Sequence, residues 1–309
     1  MSLDPGLAAI IEALNTNFPR VEEMDAADVR RIIRGRLQLP PEPEAVGSVE
    51  DRHVDGTGGP IPVRIYRPTS TPTAVVVFAH GGGFVFCDLD THDTLCRSMT
   101  NGVGAVVISV DYRLAPENPW PAGAEDVYAV AQWASTQDFG ADKLVVAGDS
   151  AGGNLAAVTA LMARDRGGPP IAAQVLLYPV TDADFDRPSY STYATGYYQT
   201  AAAMKWYWNQ YLPAGATPDH PYVCPLRADL RGLPPAVVVT NGCDVLRDEG
   251  ECFVEALRAA GVPTVHRPYE GGIHGFMTMP GIELGARARQ RCWEDIRSVL
   301  DSGCSSVAP

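Results

Sequence analysis

Lysine is almost missing from this 309-residue chain: of 24 basic residues only Lys143 and Lys205 are lysines. Gly140 and Ala202 stand three positions before them, so the S-x-x-K arrangement of serine–lysine catalysis is excluded. Positive charge as a whole is scarce, with 37 acidic residues giving a net charge of −13. Such an excess repels phosphate backbones and argues against a nucleic-acid partner. Long apolar runs are missing too. The longest, Ala74 to Ala79, is far short of the ~20 residues a membrane-spanning helix requires.

Cysteine pairing is the next absence. The seven cysteines, at positions 87, 96, 224, 243, 252, 292 and 304, are odd in number, scattered, and contain no C-x-x-C. No disulfide framework is expected, and free thiols point to a reducing, cytoplasmic location. His92 and Cys96 come nearest to a metal-ligand spacing, but two donors fall short of a four-ligand site, so neither metal nor other cofactor is expected. The N-terminal stretch MSLDPGLAAIIEALN has no basic n-region and carries Asp4 and Glu12, which does not fit a signal peptide.

What remains is a globular composition, 46% hydrophobic and 20% charged, in a chain long enough for one large domain. Leu3, Leu7, Ile10, Ile11 and Leu14 recur at helical steps, as do Val29, Ile32, Ile33 and Leu37, with Asp25 as the expected N-cap of the second helix. Arg30, Arg31, Arg34 and Arg36 alternate with that stripe and predict a solvated helix face. Pro40, Pro41 and Pro43 then mark a boundary.

Past that boundary the period changes. Val46 to His53 and Pro62 to Tyr66 predict a hairpin across Asp55-Gly56-Thr57-Gly58-Gly59. Continuous β-branched runs follow at Ala74 to Ala79, Ala105 to Val110, Leu144 to Ala147, Ala173 to Leu177 and Ala236 to Thr240. Runs of this kind suit strands buried on both faces. Helical stretches at Ala122 to Ala134, Ala151 to Arg164 and Asp248 to Ala260 separate them, so the expected fold is α/β, a mostly parallel doubly wound sheet. Between Asp182 and Pro225 the alternation stops. That stretch is crowded with tyrosine and tryptophan and contains one clear helix, Thr200 to Leu212. An insertion there would sit over the C-terminal edge of the sheet, where doubly wound folds bind ligands.

Three strand ends carry chemistry. Gly148-Asp149-Ser150-Ala151-Gly152 fits G-x-S-x-G between a strand and a helix, where small residues permit the sharp turn that presents a serine hydroxyl. His80-Gly81-Gly82-Gly83-Phe84 follows another strand, and its uncrowded backbone N–H groups can hold a developing oxyanion. His80 itself is expected to support that loop. A serine nucleophile needs a base and the base an orienter. His274, in a glycine-rich loop after the strand-like Thr264 to Tyr269, and Asp244, at the end of Ala236 to Thr240, supply them. The chain order Ser, Asp, His is that of α/β-hydrolases rather than of chymotrypsin or subtilisin.

Together HGGGF at 80–84, DYRLAPENPWPA at 111–122, GDSAGGN at 148–154, YPV at 178–180 and HGF at 274–276 resemble the bacterial hormone-sensitive-lipase-like esterases of the α/β-hydrolase superfamily. The likeness runs from about residue 45 to the end. It implies Ser150 as nucleophile, Asp244 as acid, His274 as base, and the N–H groups of Gly82, Gly83 and Ala151 as oxyanion donors. It further implies a helical cap, from 1–45 and 182–225, over a hydrolase core at 46–181 and 226–309. The expected activity is cofactor-free hydrolysis of short- to medium-chain acyl esters, with an amidase or lactonase using the same triad as the alternative and a non-catalytic receptor less favoured. Phe84, Trp206 and Phe276 are expected to line the substrate pocket. A small-molecule ester is the expected partner, and a homodimer through the strand near Thr264 to Tyr269 is the expected assembly.

Overall fold

The structure, a computed structural model, describes residues 2–302; Cys304 lies outside them. Its frame is one sheet of eight strands: β1 (Ser48–Gly56), β2 (Gly59–Arg67), β3 (Val75–Ala79), β4 (Val106–Val110), β5 (Leu144–Asp149), β6 (Ala173–Leu177), β7 (Ala236–Cys243) and β8 (Thr264–Ile273). Their spatial order is β1-β2-β4-β3-β5-β6-β7-β8. β2 runs antiparallel to β1 and β4, and every other pair is parallel. β1 and β2 form the expected hairpin, with Gly56 opposite Gly59. All residues of β3, β4, β5, β6 and β7 are buried, which is why their sequences are continuously apolar rather than alternating.

The chain leaves β3 toward β4 and then returns to the other side of β3 as β5. This reversal opens a crevice beyond the carboxyl ends of β3 and β5, the place where open α/β sheets bind ligands. Ala79 and Gly148 are register partners there, so the HGGG loop and the G-x-S-x-G turn emerge side by side.

Helices α1 (Pro5–Asn17) and α2 (Ala26–Arg36) precede the sheet; α3 (Asp93–Met99), α4 (Ala122–Ala134), α5 (Ala151–Asp165), α6 (Pro188–Thr192), α7 (Ala201–Tyr211), α8 (Arg247–Ala259) and α9 (Glu283–Ser302) follow along the chain. α4, α5 and α8 fall where the periodicity places them. α3, α6 and α9 are additions. α9 buries Ala288, Cys292, Ile296 and Leu300, an unbroken stripe at four-residue steps.

Asp25 stands at the N-cap of α2, but its side chain makes no capping bond. The arginine face of α2 is solvated at Arg31, Arg34 and Arg36, as expected, and half-buried at Arg30. Arg30 donates to the carbonyls of Val85 and Ala115, each at 2.6 Å, and pairs with Glu117, while Arg34 reaches Asp88 and Asp90. They fasten the N-terminal helices onto the core. The 182–225 segment is fastened as well. Buried Glu249 accepts the N–H groups of Thr181 (2.7 Å) and Asp182 (3.2 Å), and Asp182 pairs with Arg187 and Arg227. Among the described residues no helix is long and apolar enough to cross a membrane.

Candidate active site

Ser150 occupies the turn between β5 and α5 with φ 54°, a conformation that side-chain-bearing residues rarely adopt. Its backbone is held from both sides: its N–H donates to Leu177 and its carbonyl accepts from Val180 and Asn154. The flanking glycines are steric necessities. A Cβ on Gly148 would lie 2.2 Å from the Gly152 carbonyl oxygen, and one on Gly152 would lie 2.0 Å from that of Ala79. Asn154 donates to the carbonyls of Val180 and Val223, tying α5 to both ends of the insertion.

His274 follows β8, and its Nε2 lies 2.8 Å from Ser150 Oγ. Its Nδ1 lies 2.7 Å from Asp244 Oδ2, just past β7. An ionised carboxylate only accepts, so Nδ1–H donates and Nε2 is left as the acceptor for the serine hydroxyl. Asp244 is in turn oriented by Asn241 Nδ2 and the Leu246 N–H, both at 3.0 Å. Ser150, Asp244 and His274, which the motifs single out on three strand ends, thus meet in one buried hydrogen-bonded chain.

The HGGG loop lies opposite. Gly82 and Gly83 have φ of 105° and 59°, and a Cβ on Gly83 would penetrate the Tyr207 ring at 2.4 Å. Gly81 N–H donates to Asp149 Oδ1 at 2.8 Å. His80 is fully buried; its Nδ1–H donates to Gly81 O, and its ring stacks on Tyr112 at 4.4 Å. Burial, then the neighbouring His92, pushes the His80 imidazole down to about 4, so it stays neutral and acts as loop support. Burial alone would raise the Asp149 carboxyl, but His92, the Gly81 N–H and His80 outweigh it and hold it below the usual carboxylate range. Ala151 opens α5, whose first-turn N–H groups and positive dipole end face the serine turn.

A cavity of about 120 Å³ lies over Ser150, His274, Gly82 and Gly83. Its apolar walls are Phe18, Phe86, Tyr198, Tyr207 and Met279. Phe84, Trp206 and Phe276, the expected pocket residues, do not line it. Phe84, at φ 66°, is turned away by the glycine turn and stacks on Tyr211 at 3.7 Å. Phe276 is fully buried against Tyr178 and Tyr269, and Trp206, half-buried on α7, meets Tyr207 edge-on. Phe18 and Tyr198 carry no sequence signal, because they are distant in the chain from every catalytic motif. His92, Gln199 and Thr278, which also line the cavity, are polar residues outside those motifs, whereas Asp149 belongs to the GDSAGGN motif itself.

Residues 76–278 match the family model of the α/β hydrolase fold. The chain belongs to the α/β-hydrolase family. The hormone-sensitive-lipase-like likeness read from the motifs stands with it. Esterase LipI of Mycobacterium tuberculosis is 41% identical, over 97% of this chain and 96% of the relative. An ethyl acetate hydrolase of Pseudomonas putida is 33% identical over 91% of this chain and 94% of its own length. Among solved α/β-hydrolase structures, a hyperthermophilic esterase of the archaeon Pyrobaculum calidifontis superposes with a TM-score of 0.88 at 41% identity, covering 96% of this chain and 99% of that one.

Proposed function

We propose that this protein is a serine carboxylesterase that hydrolyses short- to medium-chain acyl esters through an acyl-enzyme. The observation that carries this is the continuous chain of Ser150 Oγ, His274 and Asp244 at 2.8 and 2.7 Å beside the HGGG loop. The esterase names of relatives that span nearly the whole chain support it. Ser150 Oγ attacks the ester carbonyl carbon as its proton passes to His274 Nε2, and Asp244 stabilises the imidazolium that forms. The N–H groups of Gly82, Gly83 and Ala151 hold the oxyanion of the tetrahedral intermediate. Collapse breaks the C–O bond to the alcohol, which leaves with the proton from His274. Water, deprotonated by His274, then attacks the acyl-serine, and the second collapse returns the proton to Ser150.

In the same proposal, residues 1–45 and 182–225 act as the cap, since Phe18, Tyr198 and Tyr207 close the cavity from above the sheet. A cytoplasmic location belongs to it as well, from the scattered cysteines, and so does a homodimer formed along β8, the outer strand. A fluorophosphonate probe tests the enzymology. It should label the purified protein stoichiometrically and fail on Ser150→Ala; equal labelling of both would sink the nucleophile assignment.

A further inference from the structure

Phe18 and Tyr198 stand edge to face with ring centroids 4.8 Å apart, and these two rings are shared by three cavities. One is the 120 Å³ space over Ser150. The second, about 410 Å³, lies between α1 and α2, with Ile10, Leu14, Ile33 and Leu37 in its walls. The third, about 290 Å³, is bordered by Asn15, Arg20, Glu22, Thr195 and Thr200. The small cavity alone suits a short acyl or alkyl group, and the two rings are the walls it shares with both larger cavities.

We propose that Phe18 and Tyr198 form an aromatic partition, and that the α1–α2 cleft behind it is the subsite for the hydrocarbon tail of longer esters. This rests on the esterase reading and specifies which substrates that site takes. The choice between the two outer cavities follows from their walls. A methylene chain gains by leaving water for aliphatic side chains, which outnumber Asn17, Arg36 and Thr91 in the α1–α2 cleft, whereas entering the third cavity would strip water from the charged Arg20 and Glu22. Both halves of the partition are anchored on α1. Phe18 caps that helix, its N–H donating to Leu14 O at 2.9 Å. Asn15 grips the 196–198 turn, accepting the Tyr198 N–H at 2.8 Å and donating to Gly196 O at 2.9 Å. Tyr198 itself is held at φ 71°. Phe18 also faces Phe86 of the inner cavity, at 6.4 Å, so one ring touches both compartments.

The test compares kcat/KM for 4-nitrophenyl octanoate with that for 4-nitrophenyl acetate. The ratio cancels losses of folded protein, which affect both esters alike. Filling the cleft with Ile33→Trp or Leu14→Trp should lower the octanoate-to-acetate ratio about tenfold, and opening the partition with Phe18→Ala should raise it by a similar factor. Combining Phe18→Ala with Ile33→Trp should abolish the gain. A ratio that moves in neither cleft variant overturns the inference while leaving the esterase reading intact. Failure of the wild type to cleave either ester overturns both.

Discussion

His92 Nε2 lies 3.1 Å from Asp149 Oδ1, the same carboxylate oxygen that accepts the Gly81 N–H at 2.8 Å. One buried carboxylate therefore joins the residue before the nucleophile to the start of the oxyanion loop, and His92 holds that carboxylate from the far side. Asp149→Ala removes the acceptor and frees the loop. It should lower kcat about a hundredfold, as small displacements of transition-state groups do, with little change in KM. Asp149→Asn keeps an oxygen for Gly81 and should recover much of the loss. His92→Ala should fall between the two. A drop confined to thermal stability, with kcat unchanged in folded protein, would show that the pair serves only the fold.

The triad gives the second expectation. Ser150→Ala and His274→Ala should each reduce turnover by about a million-fold, and the double variant should be hardly worse, since the groups act as a unit. Asp244→Asn should cost on the order of ten thousand-fold, because an amide cannot hold the imidazole in the correct tautomer. Asp248 is no substitute: its carboxylate is engaged by the Ser189 N–H and by Arg247. If Asp244→Asn kept more than a tenth of wild-type turnover in a steady-state assay, the orienting role would have to be reassigned.

The sequence makes this site legible for a physical reason. Ser150, Asp244 and the HGGG loop each sit at the end of a strand buried on both faces, so a continuous apolar run announces their positions, whereas His274 follows the half-exposed β8 and is marked by its glycine-rich loop. The cavity walls have no such marker. Phe84 and Phe276 adjoin catalytic motifs in sequence, yet the positive φ of Phe84 and the full burial of Phe276 send both rings away from Ser150. Of the rings that do close the cavity, Phe86 follows the HGGGF motif, but Phe18, Tyr198 and Tyr207 come from the end of α1, from the 196–198 turn and from α7. Only tertiary packing brings those segments together. α9, in contrast, is legible in principle, because its stripe from Ala288 to Leu300 keeps strict four-residue spacing.

Glu249 should make stability depend on pH. Burial is the main cause that pushes its carboxyl up from 4.5 to about 8, against the lowering effect of the Thr181 and Asp182 N–H groups. Between those values the folded protein holds a proton that the unfolded chain has released. Stability is therefore greatest below the unfolded value and is lost as pH rises through the folded one. Glu249→Gln retains a carbonyl for both N–H groups but cannot ionise. Melting temperatures of the wild type should fall more steeply between about pH 5 and about pH 9 than those of the variant. Parallel profiles would show that Glu249 does not titrate in this range.

Arg30 separates the two ways in which α2 could be held. Its guanidinium donates to the carbonyls of Val85 and Ala115 and also pairs with Glu117. The Glu117 side chain is 55% exposed, so solvent screens that pair and it contributes little, within about 1 kcal/mol. The carbonyl bonds are part-buried, and losing them strands one acceptor, Val85 O, in the loop that carries Phe84 and Phe86 and another, Ala115 O, in the segment after β4, at a cost of about 2 kcal/mol. Glu117→Gln should therefore leave the melting temperature nearly unchanged, while Arg30→Ala should lower it by about 5 °C. Arg30→Lys offers a single ammonium in place of a planar fork and should recover less than half of the loss. Phe86 lines the cavity over Ser150, and its N–H donates to Gly82 O, so slack in this loop reaches the oxyanion turn. Arg30→Ala should accordingly lower kcat/KM as well as stability, read on folded protein well below its melting point. Equal melting losses in Arg30→Ala and Glu117→Gln would place the anchoring in the exposed ion pair instead.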